Sequence, residues 1–233
     1  MIPLKALRET EDVPYVTYGL IALNILVFLW QLTLDQSQLS QAYWTAGVVP
    51  CQITQNWMSV NTIVDFTTSM FMHGGWLHLI FNMVFLAVFA PNVEDYMGKG
   101  GFLLFYMVAG FAASLLHTMV NWNVCIPAIG ASGAIYGIMG AFFLVFPAVK
   151  ISTVALFFRI PVGITNTQAF YMLLYFFVLD LFNGLASLGV DTVTIGGVAV
   201  WAHIGGFIAG LLIAFGVLLF KPAPKVDPLA YMD

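Results

Sequence analysis

The chain has little charge. Asp, Glu, Lys and Arg make up only 8% of its 233 residues, where a water-soluble domain carries about 25%. With 61% hydrophobic residues and a mean hydropathy of +0.94, it cannot cover its surface with polar groups, so its solvent must be lipid. Basic residues number seven against eleven acidic ones, and no basic cluster exists to hold nucleic acid. No short apolar core with a small-residue cleavage site precedes Pro14. A cleaved signal peptide is therefore not expected, and the first apolar run reads as an uncleaved anchor. Cysteine is nearly absent, with only Cys51 and Cys125. No cofactor and no metal is expected. There is no internal repeat, and no loop is long enough for a second folded unit. One domain over 1–233 is expected, with a short N-terminal segment at 1–15 and a tail at 221–233.

What the chain does have is long apolar runs of roughly 17–22 residues, the length that crosses a bilayer as a helix. A barrel would instead show short alternating strands. The expected fold is all-α, a polytopic bundle of six spans: about Val16–Leu34, Trp76–Ala90 (ended by Pro91), Gly101–Val120, Ser132–Phe146 (ended by Pro147), Gln168–Leu188 and Val200–Phe220. The polar-aromatic stretch from Asp35 to about Met72 holds Tyr43, Trp44 and Trp57, residues suited to a membrane interface. Six spans put Lys5, Arg8, Lys99, Lys150, Arg159, Lys221 and Lys225 all on one side. By the positive-inside rule both termini are cytoplasmic. Losing one span would scatter these charges over both faces. Both cysteines then lie outside, where an oxidising environment permits a disulfide.

Polar side chains at membrane depth are costly, so each one needs a reason. Ser132 heads the fourth span within Ile129-Gly-Ala-Ser-Gly-Ala-Ile-Tyr-Gly137. By itself it is compatible with a helix cap, a small-residue packing face or a nucleophile. His78 and Asn82 lie near the start of the second span and His203 near the start of the sixth. At 1.5 Å per residue, Ser132 stands about 21 Å, His78 about 20 Å and His203 about 26 Å above the inner ends of their helices. The three helices thus deliver polar groups to one layer beneath the outer face. His203, Gly206 and Gly210 share a helix face, and Gly206-x-x-x-Gly210 lets another backbone approach closely. The fourth span is thinned by Gly133, Gly137 and Gly140. Contact between these two faces would bring Ser132 within reach of His203, as a base that activates a hydroxyl requires. His78 and Asn82, at i and i+4, offer donors to a developing oxyanion, together with the Ser132 N–H.

The set His73-Gly-Gly-Trp-Leu-His78-x-x-x-Asn82, Gly130-Ala-Ser132-Gly133 with Tyr136, and Ala202-His203-x-x-Gly206-x-x-x-Gly210 resembles the rhomboid intramembrane serine proteases, in the family's order and across all six spans. The resemblance implies a Ser132–His203 dyad with no acidic third member. It also implies an oxyanion site from His78, Asn82 and the Ser132 main chain beside Gly130, with Tyr136 stacked on His203 and His73 at the mouth. The turn Asn92-Val-Glu94-Asp95-x-Met97-Gly98 is similar to that of bacterial and archaeal members, which implies a prokaryotic cytoplasmic membrane with the site opening to the exterior. The implied partners are transmembrane protein substrates and the lipid bilayer. Substrates would enter between the second and fifth helices, under a cap between Leu188 and Ala199 containing Gly189, Gly196 and Gly197. One departure stands out. Many rhomboids carry a Trp-Arg pair in the first outer loop, whereas this chain has Val64-Asp65 there, leaving Trp44 or Trp57 to substitute.

Other readings remain open. Asp180, with Asn183 at i+3, is compatible with a third catalytic member, but the resemblance argues for a dyad, so it reads as a packing or gating contact or a solvated group, and His117 as an interfacial residue. A catalytically silent, rhomboid-like binder of transmembrane helices is the alternative function. A haem carrier would need histidine pairs at both depths, but His73, His78, His117 and His203 are all external in this topology.

Overall fold

The long apolar runs become helices in the computed structural model, which describes residues 1–55, 57, 59–157, 160–188 and 199–224. In chain order these are α1 (Tyr15–Gln31), α2 (Gln36–Ala46), α3 (Pro50–Ile53), α4 (Val60–Ser69), α5 (Trp76–Met97), α6 (Lys99–Val120), α7 (Ser132–Val145), α8 (Ala169–Ser187) and α9 (Val200–Leu218). Among the described residues, α5, α6, α8 and α9 are long and apolar enough to cross a membrane. Helices α1 and α7 are apolar but shorter, at 17 and 14 residues.

The expectation of a wholly helical chain needs correction. Strands β1 (Ile2–Ala6), β2 (Lys150–Phe157) and β3 (Ile160–Gln168) form an antiparallel sheet in the order β1-β2-β3. The segments are rich in β-branched residues, and alternation turns Ile151 and Thr153 of β2 inward, where both are fully buried. They are too short and polar to read as spans, which is why they passed for loop. A second correction concerns Pro91, which does not end its helix. Helix α5 runs through it to Met97. Proline removes one hydrogen bond from the helix, but tertiary bonds hold the turn beyond it. Glu94 accepts from the Val16 and Thr17 main-chain N–H groups and the Thr17 hydroxyl at 2.7–3.0 Å. It thereby satisfies the donors that α1 leaves open at its start. Arg8 donates to Asn92 Oδ1 and Asp95 Oδ2, each at 2.9 Å, and lies over the Phe146 ring.

Helix α7 is the centre of the bundle. It packs most extensively against α9 and also against α6 and α5. Its Ile135, Ile138, Met139 and Phe142 are buried, joining Leu86 and Phe89 of α5 and Phe102 and Tyr106 of α6. The segment between α1 and α5 is held at three places. Asp35 and Gln38 form a reciprocal cap on α2. Cys51 and Cys125 form a disulfide, with Cα atoms 5.2 Å apart. Val48 and Ala128 exchange main-chain hydrogen bonds at 2.8 and 2.9 Å. Trp44 and Trp57 do not take the place of the missing Trp-Arg pair by packing inward, being 42% and 40% exposed. Phe66 instead packs with Val48 and Ile53 and meets Phe111 edge-on. The expected cap with Gly189, Gly196 and Gly197, most of the expected tail, and Arg159 and Lys225 lie outside the described residues.

Candidate active site

Ser132 is the first residue of α7, and its side chain caps nothing there, since Ala131 holds the N-cap position without a side-chain bond. The hydroxyl points instead across to α9, with Oγ 2.9 Å from His203 Nε2. Glycine makes this approach possible. A Cβ at Gly206 would overlap the carbonyl oxygen of Gly133 and stand 2.9 Å from its carbonyl carbon. One at Gly210 would stand 2.7 Å from the Gly137 Cα. The two backbones therefore touch, and no side chain separates Ser132 from His203. Gly133, Gly206 and Gly210 thus lie where the main chains of α7 and α9 approach.

Three groups fix the His203 ring, which is 6% exposed. Tyr136 lies flat on it, with ring centroids 4.1 Å apart and planes 9° apart. Ser132 meets Nε2. At the other nitrogen, Asp180 Oδ2 of α8 lies 2.8 Å from Nδ1. An ionised carboxylate can only accept, so the Nδ1 proton is donated to Asp180 and Nε2 is left to accept the Ser132 O–H. Asp180 thus joins α8 to α9 through the His203 ring rather than standing solvated, an acidic neighbour beside the two residues that the resemblance implies. His117, read as an interfacial residue, lies in the last turn of α6. It lines a cavity of about 30 Å³ beside Ser132, together with Ser69, Ser114 and Gly130.

The chain leading into α7 meets the start of α5 at Gly130. Gly130 has φ +128°, a conformation glycine adopts freely. A Cβ there would stand 2.7 Å from His78 Nε2 and 3.8 Å from Asn82 Nδ2. The Gly74 N–H donates to His78 Nδ1 at 3.3 Å, which leaves the ring proton on Nε2, the atom aimed at Gly130. Asn82 Nδ2 is buried and has no partner among the described residues. Two unspent donors thus converge on Gly130, two residues before Ser132. The Gly130 N–H is not a third, because it donates to the Ser69 carbonyl at 2.8 Å. The Ser132 N–H, in the first turn of α7, has no partner within the helix.

His73 is fully buried and meets the His78 ring edge-on at 5.0 Å. Burial, with His78 beside it, pushes its imidazole down to about 4, so it is neutral near pH 7. Its main chain is bracketed by Gln31, whose Nε2 donates to the His73 carbonyl at 2.9 Å and whose Oε1 accepts the His73 N–H at 3.0 Å. Sequence reasoning missed Gln31. The available signal was an amide side chain at the C-terminal end of an apolar helix, a costly placement without a partner.

The rhomboid domain family matches residues 60–220. The rhomboid protease AarA of Providencia stuartii is 30% identical over 232 residues, covering 91% of this chain and 76% of that protein. The putative rhomboid protease YdcA of Bacillus subtilis is 29% identical over 148 residues, 64% of each chain. Rhomboid-like protease 5 of Toxoplasma gondii is 31% identical over 150 residues, and the match spans only 16% of that protein's length.

Proposed function

The chain belongs to the rhomboid family, and we propose that it is an intramembrane serine endopeptidase cleaving peptide bonds in or next to transmembrane segments of membrane proteins. The observation that carries this reading is the 2.9 Å contact between Ser132 Oγ and His203 Nε2. Ser132 is the nucleophile and His203 the general base. As Oγ bonds to the scissile carbonyl carbon, its proton passes to Nε2. The carbonyl oxygen becomes an oxyanion held by His78 Nε2–H, the Asn82 amide and the Ser132 N–H. The C–N bond then breaks, and Nε2 returns the proton to the leaving amine. Water, deprotonated by the same nitrogen, releases the acyl group and restores Ser132.

The topology that serves this chemistry is a single domain of six spans, α1 and α5 to α9, with both termini cytoplasmic and the site opening outward. The placement of the basic residues supports it. The Cys51–Cys125 disulfide supports it too, since such bonds persist in oxidising compartments. The 14 residues of α7 fit a helix that starts beneath the outer surface, in a protein of a prokaryotic cytoplasmic membrane. Substrates reach Ser132 laterally between α5 and α8, where Phe85 and Phe176 meet edge-on at 5.5 Å.

The test is cleavage of a model transmembrane substrate in liposomes. Wild type cuts it, whereas Ser132→Ala and His203→Ala do not, and a fluorophosphonate labels wild type at Ser132. Undiminished cleavage by either variant refutes the assignment. A wild-type protein that binds transmembrane helices yet neither cuts nor labels would be the silent binder instead.

A further inference from the structure

Asp180 is the only charged residue of α8. A carboxylate at that depth is expensive unless something requires it. It sits seven residues before the outer end of the helix, its side chain 15% exposed, with Oδ2 2.8 Å from Nδ1 of a His203 side chain that is 8% exposed. The carboxylate therefore addresses the base, on whose ring Tyr136 is stacked.

We propose that Asp180 is a positioning residue for the reaction, completing a Ser132–His203–Asp180 relay across α7, α9 and α8. This rests on the serine-protease reading above and goes beyond the two-residue mechanism that the resemblance implies. Its work is twofold. By accepting the Nδ1 proton it selects the tautomer whose Nε2 lone pair faces Ser132; with the opposite tautomer, the hydroxyl would meet an N–H and keep its proton. When Nε2 takes the Ser132 proton, the imidazolium that forms lies against a fixed negative charge in a site shielded from water. No proton passes to Asp180. The Nδ1–H remains on the ring throughout, and the electron pair that attacks the carbonyl is that of the Ser132 O–H bond. Burial, the short contact and a helix otherwise free of charge distinguish this from a surface ion pair, whose contribution is small.

The substitution that separates positioning from structure is Asp180→Asn. It keeps size and polarity, but its amide can donate to Nδ1 and so stabilise the wrong tautomer. In liposomes with a transmembrane substrate, kcat falls by about 10⁴, the loss seen when such a carboxylate is removed from serine-protease sites, while KM stays within about twofold. Asp180→Ala falls by a comparable factor, and Asp180→Glu recovers part of the loss. Fluorophosphonate labelling slows in parallel when rates are normalised to folded protein. A kcat within about tenfold of wild type in Asp180→Asn, or a loss confined to KM or to thermal stability, overturns the proposal. A second measurement needs no variant: a far-downfield 15N-coupled proton on His203 Nδ1 in the wild-type protein supports the contact, and its absence over the active pH range overturns it. An inactive wild type would count against the protease reading itself, whereas an active wild type beside an equally active Asp180→Asn would count only against Asp180.

Discussion

Replacing Gly206 with alanine adds a single methyl group, yet it is expected to disconnect the site. The added Cβ would overlap the Gly133 carbonyl oxygen and stand 2.9 Å from the carbonyl carbon. Both are main-chain atoms of a helix, so no side-chain rotation relieves the clash. Close-packed interiors transmit such an overlap, and the two backbones must part by roughly 1 Å. Ser132 and His203 sit one residue and three residues from the clash, on the same faces. Their 2.9 Å hydrogen bond would stretch towards 4 Å, where little of the interaction survives. A misplacement of about 1 Å can cost roughly 10²-fold in rate, while overpacking costs about 1–3 kcal/mol of stability. The expected result is a folded but less stable protein whose fluorophosphonate labelling at Ser132 slows by about 10² or more. Gly216→Ala is the control. It lies on the same helix with nothing within 4 Å of its added Cβ, and alanine there is expected to be neutral or stabilising by about 0.5–1 kcal/mol. Wild-type labelling rates in Gly206→Ala would refute the claim that main-chain contact sets the Ser132–His203 distance.

Asn82→Ala removes an unspent buried donor and should lower kcat by about 10²–10³ with little change in KM, measured on the same liposome substrate; a change confined to KM would remove Asn82 from the oxyanion site. Reducing the Cys51–Cys125 bond, or replacing both cysteines with alanine, frees the segment that Val48 pairs with just before Gly130. Unfolding should then ease by about 2–4 kcal/mol with slower labelling of Ser132, whereas unchanged thermal melting in detergent would show that the bond constrains nothing. For His73, whose imidazole is held down at about 4, the sign is fixed by the unfolded chain, which takes up a proton below about pH 6.5 while the folded protein does not. Stability is therefore full above about pH 6.5 and falls by up to ~3 kcal/mol on the way to pH 4; His73→Gln should flatten that part of the melting profile, and an unaltered slope would assign the loss to other groups.

Much of the helical framework was legible because lipid imposes a simple length rule. The observed α6, α7, α8 and α9 begin and end within a few residues of the apolar runs in the sequence. The sheet was not legible, because β1 and β2 are 5 and 8 residues of ordinary composition whose pairing spans more than 140 residues of chain. Pro91 misled for a related reason: a local rule about helix ends was overruled by Arg8 and Thr17, which reach the turn beyond it from far away in sequence.

The same division between near and far runs through the site. Ser132, Tyr136, Gly133 and Gly137 can be read together because helical spacing puts them on adjoining turns, and His203 with Gly206 and Gly210 for the same reason. Asp180 carries no such mark. Its one neighbour by spacing is Asn183, and its position along α8 says nothing of which helix it faces. Only the lateral order of the bundle, with α8 packed against α9, brings its carboxylate to the far nitrogen of the His203 ring. A polar residue in a membrane helix announces that it has a partner; the identity of that partner is a property of packing. The depth rule that grouped Ser132, His78 and His203 therefore applies to Asp180 as well. It lies in the C-terminal half of α8, seven residues from the end of that helix; energy says that a charged group there needs a partner, and packing says that the partner is His203.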